Sequence, residues 1–516
     1  MGNKIYPIGI QNFESLRLDG YFYIDKTALI YQLVKSGRYY FLSRPRRFGK
    51  SLLISTLEAY FQGKKELFQG LAMEKLEKDW TKYPILHIDL NTQKYDSPQS
   101  LESKLNRTLV TWEKLYGSEP AEDSLSMRFE GTIQRAYEQT GQRVVILVDE
   151  YDKPMLQAIG NKELQNSFRE TLKAFYGALK SKDGCIKFAM LTGVTKFGKV
   201  SVFSDLNNLD DISMWNEYIE LCGISEKEIH KNLETELHEF ADVQKMTYDS
   251  FCEKLRQYYD GYHFTHNSIG MYNPFSLLNA FKRKEFGSYW FETGTPTYLV
   301  ELLKRHHYNL ERMAHEETNA QVLNSIDSES TSPIPVIYQS GYLTIKGYDE
   351  EFGIYHLGFP NKEVEEGFIQ FLVPYYTSMN NVESPFEIQK FVREIRSGDY
   401  NSFFQRLQSF FADTTYEIIR EQELHYENVL FIIFKLVGFY VKVEYHTSRG
   451  RIDLVLQTDK FIYIMEFKLN GTAEEALQQI NDKHYALPFE PDGRRLFKIG
   501  VNFSAETRNI EKWIVE

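Results

Sequence analysis

The sequence predicts an α/β protein in three parts: a domain built on a parallel sheet, a mostly helical middle region and a small C-terminal α/β domain. Two observations indicate the first domain. Apolar runs typical of buried strands alternate with helical stretches, and the segment RPRRFGKS stands between a strand-like run and a helix-like run. The third observation is a pair of strand-like runs near the C-terminus that carries two acids and a lysine.

The N-terminal strands are predicted from continuous apolar runs that helical segments separate. The runs are RYYFLS, YPILHIDL, RVVILVDE and CIKFAMLTG. Strands that are apolar throughout are typical of a parallel sheet covered by helices on both faces. Changes of pattern along the chain predict domains at residues 1–205, 206–400 and 401–516.

The middle and C-terminal regions have their own patterns. Residues 206–400 are mostly helical in pattern, except GYLTIKGYDEEFGIYHLGF, which predicts two strands around a polar turn. That segment is either a simple packing hairpin, which we favour, or the wing of a DNA-binding winged helix. Helices then extend to about Leu436, and strands are predicted at 440–445, 452–457 and 461–467. A helix and the strand LFKIGVNF complete this C-terminal α/β domain.

Composition limits the class of protein. The chain has 516 residues, 42% of them hydrophobic and 26% charged, as expected of a globular protein with two or three domains. Its net charge of -12 argues against a protein that coats nucleic acid through bulk charge. Three scattered cysteines suit a reducing compartment, and the chain starts without a signal-peptide core. Since the apolar run NVLFIIFKLVGFYV is interrupted by Lys435, we expect a cytoplasmic protein without a membrane span.

The segment RPRRFGKS, residues 44–51, has most of what a phosphate-binding loop needs. Gly49 permits close approach of the backbone, Lys50 supplies charge for the outer phosphates, and Ser51 supplies a hydroxyl for magnesium. The residues that this segment predicts to bind ATP are Arg44, Pro45, Arg46, Arg47, Phe48, Gly49, Lys50 and Ser51.

One residue of this segment departs from the general pattern. Arg44 stands where a phosphate-binding loop has its first glycine, and its Cβ is expected to restrict the turn that the glycine normally makes. The segment is therefore either a nucleotide site or a basic turn on a solvated surface. Seven basic residues and no acidic one in residues 26–57 favour a site for a polyphosphate.

The run RVVILVDEYDKP predicts a buried strand that ends in two acids. Asp149 is predicted to hold a hydrated magnesium ion, and Glu150 to orient and deprotonate the attacking water. Thr192, at the end of a further strand, is placed to sense the γ-phosphate. The alternatives are an acidic loop after an ordinary strand and, for Thr192, a simple turn residue.

Five segments together carry a family resemblance. They are YIDKTALI, FLSRPRRFGKSLLISTLEAYF, VVILVDEYDKP, LTGVTKFGKVSVFSDLNNL and YNPFSLLNAF…YWFETGTPTYL, and they resemble the AAA-ATPase-like proteins common in gut bacteria. In that family an arginine at the position of Arg44 looks like the normal form of the loop. The resemblance implies a P-loop NTPase domain of the AAA-like type that binds ATP and Mg²⁺. Tight binding with slow hydrolysis stays open, and a homo-oligomer is compatible with the sequence.

The C-terminal segment RGRIDLVLQTDKFIYIMEFKL carries a second group of charged residues. Side chains alternate along a strand, so Glu466 and Lys468 share one face, and a hairpin brings Asp453 beside them. Two carboxylates around one cavity bind a hard divalent cation such as Mg²⁺, and a lysine can position the attacking water or steady the developing charge. The alternative is a set of surface salt bridges on a hairpin.

The helix after this hairpin strengthens the metal-site interpretation. TAEEALQQINDKHYAL begins with a capping box from Thr472 to Glu475, and Gln479 and Lys483 share a face. The order of strand, hairpin, helix and strand resembles the PD-(D/E)XK nuclease superfamily, whose fold is that of restriction endonucleases. The segment GRIDLVL…YIMEFKLNGTAEEALQQINDKHYALPF resembles the domain usually found behind this ATPase-like domain.

The nuclease resemblance implies further site residues. An acid on the preceding helix often joins the metal, and here Glu423 is preferred to Glu427 by register with the family pattern. Arg449 and Arg451 could contact a phosphate backbone, although two arginines in a turn are commonly just solvated. With Gln479 and Lys483 they form the predicted nucleic-acid contacts.

Three functions are compatible with these patterns. The first is an ATP-dependent nuclease or nucleic-acid-remodelling ATPase acting on DNA or RNA. The second is a nucleotide-switched binding protein whose nuclease-like domain cleaves nothing, and the third is an ATPase acting on protein partners. The acidic net charge favours the last two, whereas the intact set of Asp453, Glu466 and Lys468 favours the first.

Overall fold

A computed structural model describes most of the chain. The described residues are 4–196, 208–291, 297–324, 332–377, 384–412, 422–438, 442–448, 451–469, 471–504, 506–507 and 509–516. The chain divides into two compact units, one of Met1–Gly294 with Ala314–Val364 and one of Thr295–Met313 with Glu365–Glu516. Residues 206–400 contribute to both units, and their assignment to a domain of their own stays a prediction.

The first unit is built on a parallel sheet, as predicted, with the four predicted strands and a short fifth one that the sequence did not indicate. The strands are β1 (Tyr39–Ser43), β2 (Ile85–Asp89), β3 (Val144–Asp149), β4 (Ile186–Gly193) and β5 (Asp210–Asp211), and their spatial order is β2-β3-β4-β1-β5. Every residue of β1 and β3 is buried, which accounts for their continuous apolar sequence. Because the strands are parallel, the ends of β1, β3 and β4 meet at one edge of the sheet.

Helices surround this sheet and form a second core. The helices of the first unit are Phe13–Leu18, Thr27–Ser36, Lys50–Phe61, Ala72–Leu76, Pro98–Tyr116, Leu125–Thr140, Lys153–Gln157, Lys162–Tyr176, Ala178–Ser181, Glu226–Val243, Tyr248–Tyr259, Pro274–Arg283, Ala320–Asn324 and Ile334–Gln339. An apolar cluster that includes Leu233, Phe240, Phe251 and Phe281 holds the helices after residue 225 together. Burial of these side chains is the main force that stabilises such a helical layer.

Two small sheets complete the first unit. β6 (Ile224–Ser225) pairs with β7 (Met271–Tyr272), and β8 (Glu316–Asn319), β9 (Thr344–Asp349) and β10 (Ile354–Gly358) form a sheet in the order β8-β10-β9. The predicted hairpin is thus β9 and β10, whereas β8 has a polar sequence and no strand signal. The turn of the hairpin contains two glutamates, residues 350 and 351, and an exposed Phe352. Acids at this tip would repel a phosphate backbone, which favours the packing hairpin over a DNA-binding wing.

The second unit contains a five-stranded mixed sheet, which fits the predicted C-terminal α/β domain. Its strands are β11 (Lys442–Ser448), β12 (Arg451–Gln457), β13 (Phe461–Leu469), β14 (Arg495–Ser504) and β15 (Asn509–Val515), in that spatial order. β13 and β14 are parallel and the other neighbours antiparallel. The final strand β15 was not foreseen, and β11 extends past the predicted end at 445.

The helices of the second unit are mostly amphipathic. They are Thr297–Arg305, Ser384–Ser397, Tyr400–Ala412, Gln422–Gly438 and Ala473–Asp482, and the helix Lys362–Tyr376 begins at the end of the first unit. The predicted capping box between Thr472 and Glu475 is present at the start of the helix that connects β13 to β14. This helix packs so closely on β14 that a Cβ on Gly500 would lie 2.1 Å from the carbonyl oxygen of Ala473.

No helix in the described ranges is long and apolar enough to cross a membrane. The expected cytoplasmic location stays a prediction.

Candidate nucleotide site and nuclease-like site

The segment 44–49 forms the turn between β1 and the helix Lys50–Phe61. Two of its residues have left-handed backbones, Arg47 with φ 66° and Gly49 with φ 94°, and Arg44 is not among the residues with positive φ. The expected restriction at Arg44 therefore does not arise, because the chain makes its left-handed turn elsewhere in the loop. Gly49 caps the helix with a backbone conformation that favours glycine.

Arg44 does not lie on a solvated surface, as the alternative interpretation required. Its side chain is 1% exposed, and the guanidinium donates to the carbonyl oxygens of Ser43 at 2.9 Å and Ser213 at 2.7 Å. Burial lowers the pKa of Arg44 to about 10, so the group remains charged at neutral pH. The guanidinium is thus hydrogen-bonded to the protein itself, and the prediction that Arg44 contacts ATP stays a prediction.

Lys50 is held by the loop that it follows. Lys50 is 4% exposed, and its ammonium group donates to the carbonyl oxygens of Arg44 at 3.0 Å and Pro45 at 3.2 Å. The carboxylate of Glu150 lies 3.5 Å from Lys50 Nζ. The structure therefore brings together the predicted phosphate-binding lysine and the predicted general base.

The carbonyl oxygen of Arg46 accepts hydrogen bonds from two residues of the segment YNPFSLLNAF…YWF, for which the sequence predicted no role. Asn273 Nδ2 donates to it at 3.2 Å and Trp290 Nε1 at 3.1 Å. The Arg46 guanidinium also lies over the Trp290 ring, 5.4 Å from its centre. The motif YNPFSLL…YWF therefore supports the loop, a function that only the folded chain reveals.

The other two side chains of the loop behave differently from each other. Arg47 is exposed and its guanidinium lies 5.1 Å from the centre of the Phe275 ring. Phe48 is buried and packs edge-on against Tyr262 and Phe264. Phe48 thus anchors the loop, while Arg47 remains available to a ligand.

The predicted acids lie at the end of β3. Asp149 is buried, and its Oδ1 accepts a hydrogen bond of 2.7 Å from Thr192 Oγ1. The structure therefore places the Thr192 hydroxyl on a candidate metal ligand, and its contact with a γ-phosphate stays a prediction. Glu150 has a left-handed backbone with φ 55°, a conformation that is rare for glutamate and is found at functional turns.

A third acid in this turn is Asp152, for which the sequence predicted no role. Its side chain is fully buried and accepts hydrogen bonds from the backbone of Val194 at 3.2 Å and Thr195 at 2.6 Å, and from the Thr195 hydroxyl at 2.7 Å. Burial, followed by the charge of Glu150, raises the pKa of Asp152 to about 6. Asp152 thereby ties the turn that carries Glu150 to the end of β4.

A cavity of about 300 Å³ with a mixed polar and apolar lining opens beside the loop. Its charged and polar lining includes Arg46, Arg47, Lys50, Ser51, Glu150 and Lys153. A second cavity of about 100 Å³ is mostly apolar and shares Pro7, Gly49, Leu52, Pro274 and Leu278 with the first. The two together have the character expected of a nucleotide site, with a basic part for phosphates and an apolar part for a base.

The C-terminal hairpin brings the predicted nuclease residues together. Asp453 of β12 is the register partner of Glu466 of β13, and such opposite residues lie on the same face. Glu466 is fully buried, and Lys468 Nζ lies 3.2 Å from its Oε1. Lys468 also donates to Gln479 Oε1 on the following helix. The structure therefore joins Glu466, Lys468 and Gln479 through direct contacts.

The remaining predicted residues are described only in part. For Glu423, Arg451 and Asp453 the structure describes the backbone alone, and Arg449 lies outside the described residues. Glu427 is half-buried, 3.5 Å from the Asn309 amide. Lys483 is exposed and follows the last residue of its helix, one turn beyond Gln479.

Within the described residues, no group of three or more His, Cys, Asp or Glu side chains is arranged to hold a metal ion. The Asp453 side chain is not among those described. The metal role of Asp453, Glu466 and Glu423 therefore stays a prediction.

Comparisons with known proteins match both sites. Residues 7–203 match the family model of predicted AAA-ATPases, and residues 421–513 match a model of the PD-(D/E)XK nuclease superfamily. A protein of Azotobacter chroococcum mcd 1, described as an uncharacterized protein in the vnfD 5′ region, is 35% identical over 532 residues, with 100% of this chain and 99% of that protein covered. The chain belongs to the predicted AAA-ATPase family.

The resemblance seen in the sequence is therefore confirmed for both parts of the chain. The first matched range contains the loop and the acids at β3, and the second contains the hairpin and its helix. The association with gut bacteria has no support in these matches. The solved structure of the Aeropyrum pernix ORC2 protein, in ADPNP–ADP complexes, is 11% identical with a TM-score of 0.25, covering 70% of this chain and 92% of that chain.

Proposed function

We propose that this AAA-ATPase binds and hydrolyses ATP with Mg²⁺ in its first unit, and that its nuclease-like domain cleaves nucleic acid with a divalent metal. The observation that carries the ATPase part is the approach of Glu150 to Lys50 at the edge of the larger cavity, 3.5 Å between Oε1 and Nζ. A lysine for phosphate charge and a carboxylate for a water proton are the two groups that this chemistry needs from side chains.

The residues at the loop fit ATP and Mg²⁺. Ser51 and Asp149 offer a hydroxyl and a carboxylate, oxygen donors of the kind that Mg²⁺ prefers, and the ion would neutralise charge on the phosphates. The Lys50 ammonium has three donors, and a phosphate oxygen would replace part of what the loop carbonyls and Glu150 provide. Glu150 would then be released from Lys50 to orient a water molecule and take its proton.

The apolar cavity beside the loop would take the base of the nucleotide. Phe22, Ile24, Leu53 and Leu278 are among its lining residues, and it shares Gly49 with the phosphate side. Burying a base against such side chains contributes through the removal of apolar surface from water. We therefore place the base on the side of the loop that faces residues 22–24.

Thermal unfolding with ATP and Mg²⁺ tests the binding proposal. A ligand at 100 times its Kd stabilises the folded state by about 2.7 kcal/mol, which raises the melting temperature of the unit that binds it. We expect this shift in the wild type and in Lys231→Ala, which removes an exposed lysine, and no shift in Lys50→Ala. A wild-type protein without any shift at millimolar ATP would end the proposal.

The nuclease proposal rests on the buried contact between Glu466 and Lys468 opposite Asp453. Asp453 and Glu466 would hold the metal, and Lys468 would handle the nucleophile or the developing charge on phosphate. Arg451, Gln479 and Lys483 would contact the nucleic-acid backbone. An assay with single- and double-stranded DNA and RNA, with and without ATP and Mg²⁺ or Mn²⁺, tests whether any of them is cut.

A nucleotide-switched binding protein is the second candidate. The net charge of -12 supports it, since a chain of this charge has weak long-range attraction for nucleic acid. ATP binding without cleavage of any nucleic acid under all the conditions of the assay would favour this candidate over the nuclease.

A further inference from the structure

Arg44 raises a question that ATP binding does not answer. It occupies the first position of the phosphate loop, yet the residue is only 1% exposed. Burying a charged group is unfavourable unless hydrogen bonds compensate it, so a side chain in this position must be held by specific partners. Those partners show what the residue does.

All the hydrogen-bond acceptors that the guanidinium contacts are backbone carbonyls. Nη1 donates to Ser43 at 2.9 Å and to Ser213 at 2.7 Å, and Nη2 donates to Tyr218 at 3.4 Å. The guanidinium carbon lies 4.0 Å from the centre of the Phe264 ring, within the range of a cation–π contact. Two segments that are remote in sequence from Arg44, residues 212–221 and the segment of Phe264, therefore converge on its side chain.

The segment around Ser213 is itself rigidly placed. Two short 3₁₀ turns, Ile212–Met214 and Asn216–Leu221, provide the carbonyls, and the Ser213 hydroxyl accepts a 2.8 Å hydrogen bond from the backbone of Ser43. The backbone N–H of Ser213 donates to Asp211 at 3.0 Å. Arg44 is thus hydrogen-bonded to a segment that has hydrogen bonds of its own to Ser43 and Asp211.

The main chain of Arg44 is what orients Lys50. Its N–H donates to Gly193 at the end of β4, 3.1 Å away, and its carbonyl accepts from Lys50 Nζ at 3.0 Å. The next carbonyl, of Pro45, accepts from the same ammonium group at 3.2 Å. A side chain that fixes this peptide fixes the starting position of the phosphate-binding lysine.

We infer that Arg44 is a positioning residue: it replaces the flexible glycine of the general loop with a buried clamp that holds the loop and Lys50 in the geometry that binds ATP. The inference rests on the proposed ATP binding. It leads to an expectation opposite to that from the motif alone, because Arg44→Gly makes the sequence closer to the general phosphate loop but removes the clamp.

The test is the Kd for ATP with Mg²⁺, measured by titration well below the melting temperature of each variant. We expect Arg44→Gly to raise the Kd by roughly tenfold or more, since several hydrogen bonds of a charged group are lost. Arg44→Lys retains the charge but not the fork of donors, so it should give a smaller rise. Arg143→Gly, which removes an exposed arginine just before β3, is the matched control and should bind as the wild type does.

Measuring the Kd on folded protein separates positioning from general stability. A residue that only stabilises the fold would lower the melting temperature in Arg44→Gly and leave the Kd unchanged, and that result overturns the inference. If Arg44→Gly does not fold, Arg44→Lys decides, since a Kd equal to that of the wild type contradicts the clamp. If the wild type binds no ATP, the proposed function is contradicted together with the inference. If the wild type binds ATP and Arg44→Gly has the same Kd, only the inference about Arg44 is contradicted.

Discussion

The proposed nucleotide site and the proposed nuclease-like site are assembled from different kinds of neighbours. In the first unit Lys50 begins the helix after β1, and Glu150 and Thr192 lie at the ends of β3 and β4, which are far apart in sequence. In the second unit Glu466, Lys468 and the register partner Asp453 lie on one hairpin. A hairpin site is fixed by local register, whereas a site at the edge of a parallel sheet depends on the packing of the whole unit.

This difference appears again in the partners of the two lysines. Lys50 is oriented mainly by main-chain carbonyls of its loop, and that loop is in turn held by Asn273 and Trp290. Lys468 is oriented by two side chains, those of Glu466 and Gln479. The first lysine should therefore respond to changes in distant residues, and the second mainly to changes in its immediate neighbours.

The largest effect is expected at Glu150, the proposed general base of the proposed nucleotide site. Glu150→Gln preserves the shape of the side chain but cannot take a proton, so ATP hydrolysis should fall by about 10²–10⁴-fold. ATP should still stabilise the variant in a thermal melt, because Lys50 and Ser51 remain. Glu163→Gln changes an exposed glutamate on the helix Lys162–Tyr176 and should hydrolyse ATP at the normal rate. Unchanged turnover in Glu150→Gln would assign the base to another residue.

The next effect concerns the hairpin and its lysine. Lys468→Ala and Asp453→Asn should each lower nuclease activity by about 10²–10³-fold, the usual loss when one electrostatic group of a site is removed. Titration with Mn²⁺ should separate them, because only Asp453→Asn removes a metal ligand. Equal metal affinity in both variants would argue that Asp453 is not a ligand, and the hairpin site would have to be revised.

Sequence reasoning succeeded where the signal was local. Alternation along β13 predicted that Glu466 and Lys468 share a face, and the two side chains are in contact. The capping box at Thr472 and the continuous apolar strands of the parallel sheet were equally readable. The polar strand β8 and the final strand β15 carried no such pattern, so their pairing depends on neighbours that only the fold supplies.

The residues that were missed act over long distances in the chain. Asn273 and Arg46 are 227 positions apart, and no local pattern links an asparagine at a helix start to a phosphate loop. Asp152 is part of the segment VDEYDKP, but its role depends on a hydrogen bond from the backbone N–H of Thr195. That N–H lies near Asp152 only when β3 and β4 pair. The contribution of Arg44 likewise became visible only with the carbonyls of Ser213 and Tyr218.

A smaller effect is expected from the buried acid of the first unit. Because the pKa of Asp152 is raised to about 6 from an ordinary value of 3.8, the folded state holds its proton more strongly than the unfolded state does. The contribution of Asp152 to the free energy of unfolding therefore falls by an amount on the order of 1–3 kcal/mol as pH rises from about 4 to 6. Above about pH 6 this contribution stays constant. Asp152→Asn should lose this part of the pH dependence.

The measurement for Asp152 is the melting temperature of wild type and variant at pH 5 and pH 7. The difference between the two proteins isolates this residue from other groups that titrate in the same range. Asn also presents an N–H to the donors of Thr195, so the variant should be less stable at both pH values. An identical pH dependence in both proteins would contradict the raised pKa.

The smallest effect should come from the amide that holds Lys468. Gln479→Ala removes one acceptor of the lysine, but the contact with Glu466 at 3.2 Å remains, so nuclease activity should fall by only about threefold to tenfold. Gln478→Ala, which changes the exposed neighbour on the same helix, should leave nuclease activity unchanged.

A double variant separates two possible roles of Gln479. If it only orients Lys468, the loss should disappear in the Lys468→Ala background, whereas an additional direct contact with nucleic acid would weaken substrate binding in both backgrounds. Weaker substrate binding in both backgrounds would show that the nuclease-like site depends on its helix as well as on its hairpin. The two proposed sites would then differ less in how far apart in sequence their residues lie.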